Sequence, residues 1–176
     1  MPKTRGGRAR GAPRVRAETL YALVFVFLMA GLAAAVFAWY ETVNSAVTAV
    51  CSPNQSVSCA AVDHSGDTHS FGVPDWAVGI AGYVVMVGVA ALAYRTFDRR
   101  YLMGLGLLSA VGVLISLVFV YQEAFVIHAL CPVCTTAHLC NVGVLVCSAW
   151  LLRLSRPDAD ESDGPGSPSG PPGTPD

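Results

Sequence analysis

Four uncharged apolar runs leave this chain little choice of fold. They are Leu20–Tyr40, Trp76–Tyr94, Tyr101–Tyr121 and Pro132–Leu152, each 19 to 21 residues long and free of Asp, Glu, Lys and Arg. A helix rising about 1.5 Å per residue crosses a hydrocarbon core with about 20 such residues. Aromatic residues gather near the ends of the runs, including Trp39, Tyr40, Trp76, Tyr121 and Trp150, where interfacial anchoring places them. Only 13% of the 176 residues are charged, well below the share in soluble domains. The pattern predicts an all-α integral membrane protein, a four-transmembrane-helix bundle.

The basic residues orient it. Six of them, from Lys3 to Arg16, precede the first run. Arg95, Arg99 and Arg100 lie between the second and third, and Arg153 and Arg156 follow the fourth. None is left for the loops at 41–75 and 122–131. The positive-inside rule therefore puts both termini in the cytoplasm and those two loops on the outer face of the cell membrane. The first run exceeds a signal h-region of about 7–15 residues, so it reads as a retained span. A net charge of −1 gives no support to a nucleic-acid partner.

Three regions are expected along the chain. Residues 1–17 form a basic, flexible cytoplasmic N-terminus beside lipid headgroups. Residues 18–154 form the membrane catalytic domain. Residues 155–176, rich in Pro, Gly, Ser and acidic side chains, form a disordered cytoplasmic tail. Val43, Val47 and Val50 recur at helical spacing, which extends the first helix past Tyr40 to Cys51 and gives the long outer loop a short amphipathic lid.

The chemistry lies in the cysteines. Cys51 and Cys59 share the long outer loop, and Cys131 and Cys134 form a C-x-x-C where the second outer loop meets the fourth span. All four fall on the side where disulfides persist. Two dithiol pairs at one face suit a relay for thiol–disulfide exchange. Pro132 is suited to the first position of a helix, which makes Cys131 its cap, beside unpaired N–H groups that lower a thiol's pKa. Cys131 is then exposed for exchange, with Cys134 shielded about one turn deeper.

On a helical wheel, Cys131, His138 and Asn141 fall within about 60° of Cys134. Cys140 and Cys147 fall on the opposite side and read as small apolar fillers. Polar groups at membrane depth usually face a functional interior, which places His138 and Asn141 at the site. Ser109, Gly112 and Ser116 on the third helix, with Gly79 and Gly82 on the second, suit close helix packing. Other readings stay open. Cys51–Cys59 also suits a structural staple, and the C-x-x-C with His64, His69, His128 or His138 suits zinc, although no second ligand pair has finger-like spacing.

Taken in order on four spans, these features resemble the vitamin K epoxide reductase family, in its bacterial disulfide-forming branch. The resemblance covers most of residues 18–153. Its markers are Cys51 and Cys59, Ser65 six residues later, Phe71-Gly72-Val73-Pro74 leading into a Gly-rich second helix, and Cys131-Pro132-Val133-Cys134 opening the fourth. It implies a bundle enclosing a quinone, either menaquinone or ubiquinone, near the outer surface. It also implies that Cys51 exchanges with a separate thioredoxin-fold, DsbA-like partner on the outer side. Cys59 then passes electrons to the Cys131–Cys134 disulfide, Cys134 delivers them to the quinone, and Ser65 helps set the loop or site. The result is a quinone-dependent thiol–disulfide oxidoreductase supporting disulfide-bond formation.

The chain departs from the vertebrate members at His138, where they carry Tyr. A His can still donate to a quinone carbonyl, whose reduction builds charge on oxygen. Reduction of vitamin K epoxide does not follow from this pattern. A DsbB-like thiol oxidase also has four spans and two cysteine pairs, but carries its C-x-x-C in the first outer loop. A non-enzymatic membrane scaffold or small transport component would instead keep Cys51–Cys59 permanently oxidised.

Overall fold

The computed structural model describes residues 11–63, 69–70 and 73–155. Its elements in chain order are α1 (Gly11–Val43), α2 (Ser45–Cys51), α3 (Cys59–Asp63), strands β1 (His69–Ser70) and β2 (Val73–Pro74), α4 (Asp75–Thr96), α5 (Arg99–Tyr121), a π-helix (Gln122–Ile127) and α6 (Pro132–Leu154). The two short strands pair antiparallel, Ser70 opposite Val73. Helices at Arg16–Val43, Asp75–Thr96, Arg99–Ile127 and Pro132–Leu154 are long and apolar enough to cross a membrane. The protein is a multi-pass, all-α membrane bundle.

The four long helices form a ring in which α1 packs on α4 and α6, and α5 closes it against the same two. Val24 and Leu28 of α1, Leu105 and Ser109 of α5, and Val144 and Leu151 of α6 meet in its centre, almost wholly buried. Large apolar side chains such as Leu107, Leu114 and Leu117 point outward instead, each at least 60% exposed. A bilayer makes that arrangement stable, because lipid tails solvate those side chains as well as a protein core does.

With no water to expel between the helices, close packing and internal hydrogen bonds hold the ring together. Gly31 lies directly under the Tyr83 ring, and Gly143 sits against the Phe27 ring. The Tyr83 hydroxyl donates to the Ala137 carbonyl at 2.6 Å, tying α4 to α6. The short α4–α5 turn is closed locally. Phe97 takes a left-handed φ of 52° and its N–H bonds to Ala93 O at 3.0 Å. Asp98 then caps α5, its carboxylate accepting from the Arg100 N–H at 2.9 Å.

Three boundaries differ from those expected of the sequence. Helix α1 begins at Gly11, so Arg14 and Arg16 ride on its first turns rather than on a flexible segment. It also stops at Val43 instead of running on to Cys51. Asn44 leaves the helical region at φ −133° and turns its side chain to accept from the Ala46 N–H at 3.2 Å, starting α2 afresh. An Asn that can bond its own following backbone favours such a break over continuing a helix. The third long helix, finally, continues through the π-helix to Ile127, and His128 closes it in the left-handed region at φ 58°. The second connecting loop is correspondingly short. Ser65, His64 and Asp67 lie outside the described residues, as do residues 1–10 and 156–176.

The contact at Gly31 yields a direct expectation. Gly31→Ala places a methyl group in the Tyr83 ring and strains the bond to Ala137, at a cost of about 1–3 kcal/mol. Gly82→Ala meets nothing within 4 Å. In detergent melts, Gly31→Ala will lower the unfolding midpoint, while Gly82→Ala will leave it unchanged or slightly raised.

Candidate redox site

The segment between α2 and α3 is a compact turn that carries two sulfurs. Cys51 closes α2 and Cys59 opens α3, and the two are joined in a disulfide with their Cα atoms 5.6 Å apart. Asn54 shapes the turn, its Oδ1 accepting from the Ser56 and Val57 N–H groups at 3.1 and 2.8 Å. Ser58 caps α3 by accepting from the Ala61 N–H at 3.1 Å.

The turn is docked on the start of α6 by main-chain bonds. The Ser58 N–H donates to Leu130 O at 3.1 Å, and the Leu130 N–H donates to Ser56 O at 3.0 Å, a parallel bridge centred on Val57. One residue on from Leu130 is Cys131. Its Sγ lies 3.2 Å from Cys59 Sγ, and the sulfurs of Cys51, Cys59 and Cys131 all lie within 4.8 Å of one another. Reacting atoms about 3–3.5 Å apart are in near-attack contact. With Cys51 and Cys59 bonded, the trio is a free thiol facing a disulfide, and only one of the three is available as a metal donor.

Cys131 is the N-cap of α6, with Pro132 in the first helical position. Its Sγ accepts from the Cys134 N–H at 3.3 Å, its carbonyl accepts from the Thr135 N–H at 2.9 Å, and its own N–H donates to Glu123 Oε2 at 3.1 Å. The hydrogen bond with the Cys134 side chain, joined by the Cys134 and Val133 N–H groups, pulls the Cys131 thiol below its ordinary range. Burial and the Glu123 charge pull the other way without overcoming them. Contrary to the sequence expectation, Cys131 is not open to solvent. It is 3% exposed, because the docked turn covers it.

Beneath the sulfurs lies a cavity of about 910 Å³ reached by all four long helices. Cys131, Cys134, His138 and Asn141 share its α6 wall, as the helical wheel placed them. The His138 ring stacks on Phe119 at 6.2 Å with the planes 10° apart. Asn141 Nδ2 donates to Ser109 O at 3.4 Å, in the space left by Gly112. His138 Nε2 and Asn141 Oδ1 are buried with no hydrogen-bond partner among the described residues. Cys140 and Cys147 are buried in the bundle and do not line this cavity.

Two cavity residues escape a reading of the sequence. Glu41 at the end of α1 and Glu123 in the π-helix are both buried and line the same cavity as the thiols. Each stands just beyond an uncharged run, which assigns it to a solvated loop. Glu123 did leave a trace, as the only acid between Asp98 and Asp158.

This geometry makes the sulfur connections testable. A Cys134→Ser variant will accumulate a Cys59–Cys131 disulfide on non-reducing peptide mapping, and Cys140→Ala or Cys147→Ala will leave that yield unchanged. With the Cys131 thiol lowered, the pH at which the joining rate falls to half will lie below that of an ordinary thiol. An ordinary thiol would already slow below about pH 8.5.

No curated protein matches the chain. The model of the vitamin K epoxide reductase family matches residues 22–149. That match reaches into all four long helices and includes Cys51, Cys59, Cys131 and Cys134. The chain therefore belongs to the vitamin K epoxide reductase family, and with its thiol held against a disulfide it is a membrane thiol oxidoreductase.

Proposed function

We propose that this protein oxidises a separate thioredoxin-fold, DsbA-like dithiol partner and passes the electrons to a membrane quinone. The observation that carries the proposal is the 3.2 Å contact between Cys59 and Cys131, at the mouth of a cavity that also holds Cys134. The basic residues favour an orientation with both termini in the cytoplasm and the cysteine end outside. There the partner meets Cys51.

The steps follow the order of the sulfurs. A partner thiolate attacks Cys51, forming a mixed disulfide, and Cys59 leaves with the bonding electrons. Cys59 then attacks Cys131 of the Cys131–Cys134 disulfide, and Cys134 leaves as a thiolate. The partner's second thiol resolves the mixed disulfide and frees Cys51. Cys51 attacks Cys59, which restores the loop disulfide and returns Cys131 to a thiol. The state at this point has Cys51–Cys59 joined and Cys131 and Cys134 reduced, the arrangement found here.

A quinone in the cavity would supply the sink, taking two electrons and two protons from the C-x-x-C dithiol as it closes to a disulfide. The quinone is menaquinone or ubiquinone. The cavity suits such a ring, since ligand pockets of about 300–1,000 Å³ are mostly apolar with a few placed polar groups. His138 Nε2 can donate to a ring oxygen, and Asn141 Oδ1 can accept from a reduced hydroxyl. Phe119 holds the His138 ring in place by stacking. Cys134 lines the cavity and would be the electron donor to such a ring.

Purified protein in nanodiscs with a reduced thioredoxin-fold partner will bleach quinone absorbance, and Cys134→Ser will not. His138→Phe keeps the stack on Phe119 and removes the donor, so kcat/KM for quinone will fall about tenfold with partner oxidation otherwise intact. Turnover by Cys134→Ser, or partner oxidation with no quinone consumed, would contradict the proposal.

A further inference from the structure

Glu123 is a carboxyl group at the end of an apolar span and is only 3% exposed. Ionisable side chains in such places are rare and tend to be functional. Its Oε2 takes the Cys131 N–H at 3.1 Å. In a capping box that N–H is taken by a Glu or Gln three residues into the same helix. Here the position is Cys134, whose short side chain cannot reach back. Glu123 supplies the acceptor from the neighbouring π-helix.

The same residue also secures the turn that follows. The Ala129 N–H donates to the Glu123 carbonyl at 3.1 Å. Between these two bonds lies Leu130, whose main chain docks the Cys59 turn. Glu123 thus grips the chain on both sides of the residue that brings Cys59 to Cys131.

We propose that Glu123 is a positioning residue for thiol–disulfide exchange, clamping the chain so that the Cys131 sulfur stays on Cys59. The proposal rests on the thiol-exchange part of the function above and not on its quinone step. The carboxylate has a second effect, since its negative charge opposes thiolate formation on Cys131. Among the described residues, the other ionisable group at this sulfur is Cys134 of α6, and Glu41 of α1 acts on Cys134 in turn. The loop contributes only the uncharged Cys51–Cys59 disulfide.

The exchange can be isolated in a Cys134→Ser background, with neither partner nor quinone present. There the Cys131 thiolate bonds to Cys59, the Cys51–Cys59 bond breaks, and Cys51 leaves with the electron pair and takes up a proton. No net oxidation occurs. Labelling of freed Cys51, followed by mass spectrometry across a pH series, reads the rate.

Glu123→Gln keeps an oxygen acceptor for the Cys131 N–H and removes the charge. Exchange will persist, with its pH midpoint moved lower, because the charge that opposes thiolate formation is gone. Glu123→Ala removes acceptor and charge together, and exchange will slow about tenfold across the series. A Gln variant with the parent's pH profile, or an Ala variant exchanging at the parent's rate, would overturn the proposal. Failure of the quinone step leaves these outcomes untouched. A parent that never joins Cys59 to Cys131 would instead overturn thiol exchange itself, and this proposal with it.

Discussion

Cys131 Sγ stands where two requirements meet, and the rest of the site is arranged around it. As the N-cap of α6 it accepts the Cys134 N–H at 3.3 Å, and as a thiol it lies 3.2 Å from Cys59. The first contact uses the unpaired N–H groups that every helix start presents. Those N–H groups favour a sulfur carrying negative charge, which is the form needed for attack. Helix geometry and thiol chemistry therefore reinforce each other at one atom. The main-chain bridge through Leu130 and the Glu123 carboxylate hold that atom in register with the loop.

The membrane explains the division of labour around it. Across most of the bundle the interior is apolar and close-packed, with glycines under Tyr83 and Phe27. Polar groups collect at the cysteine end, where Glu41, Glu123, His138 and Asn141 border one cavity. Burying such groups in an apolar bundle is costly unless they have partners, so their convergence marks chemistry rather than packing. Cys140 and Cys147, by contrast, are buried without lining that cavity, and Cys147 packs in the apolar core.

Much of this was legible in the sequence because a bilayer leaves few options. Uncharged runs of the right length could only be spans, and Pro132 after Cys131 announced the helix cap. The wheel through Cys134 grouped His138 with Asn141, since a regular helix makes those angles predictable. Features made by distant main chain were hidden. The pairing of Ser56 and Ser58 with Leu130 uses backbone atoms and leaves no residue pattern, so the covering of Cys131 could not be foreseen. Glu41 and Glu123 were hidden for another reason, because a charge ends an apolar run whether it faces solvent or a cavity. Asn44 could have signalled the break before α2, but valines at helical spacing on both sides outweighed it.

The most direct measurement of the central claim is a disulfide map of the unmodified protein in membranes, poised across a graded series of redox potentials. If the loop and the C-x-x-C form one relay, the Cys51–Cys59 and Cys131–Cys134 pairs will titrate together, and peptides joined through Cys59 and Cys131 will appear at intermediate potentials. If Cys51–Cys59 stays closed while the C-x-x-C titrates alone, with no Cys59–Cys131 peptide at any potential, the loop disulfide is a staple and the relay does not exist.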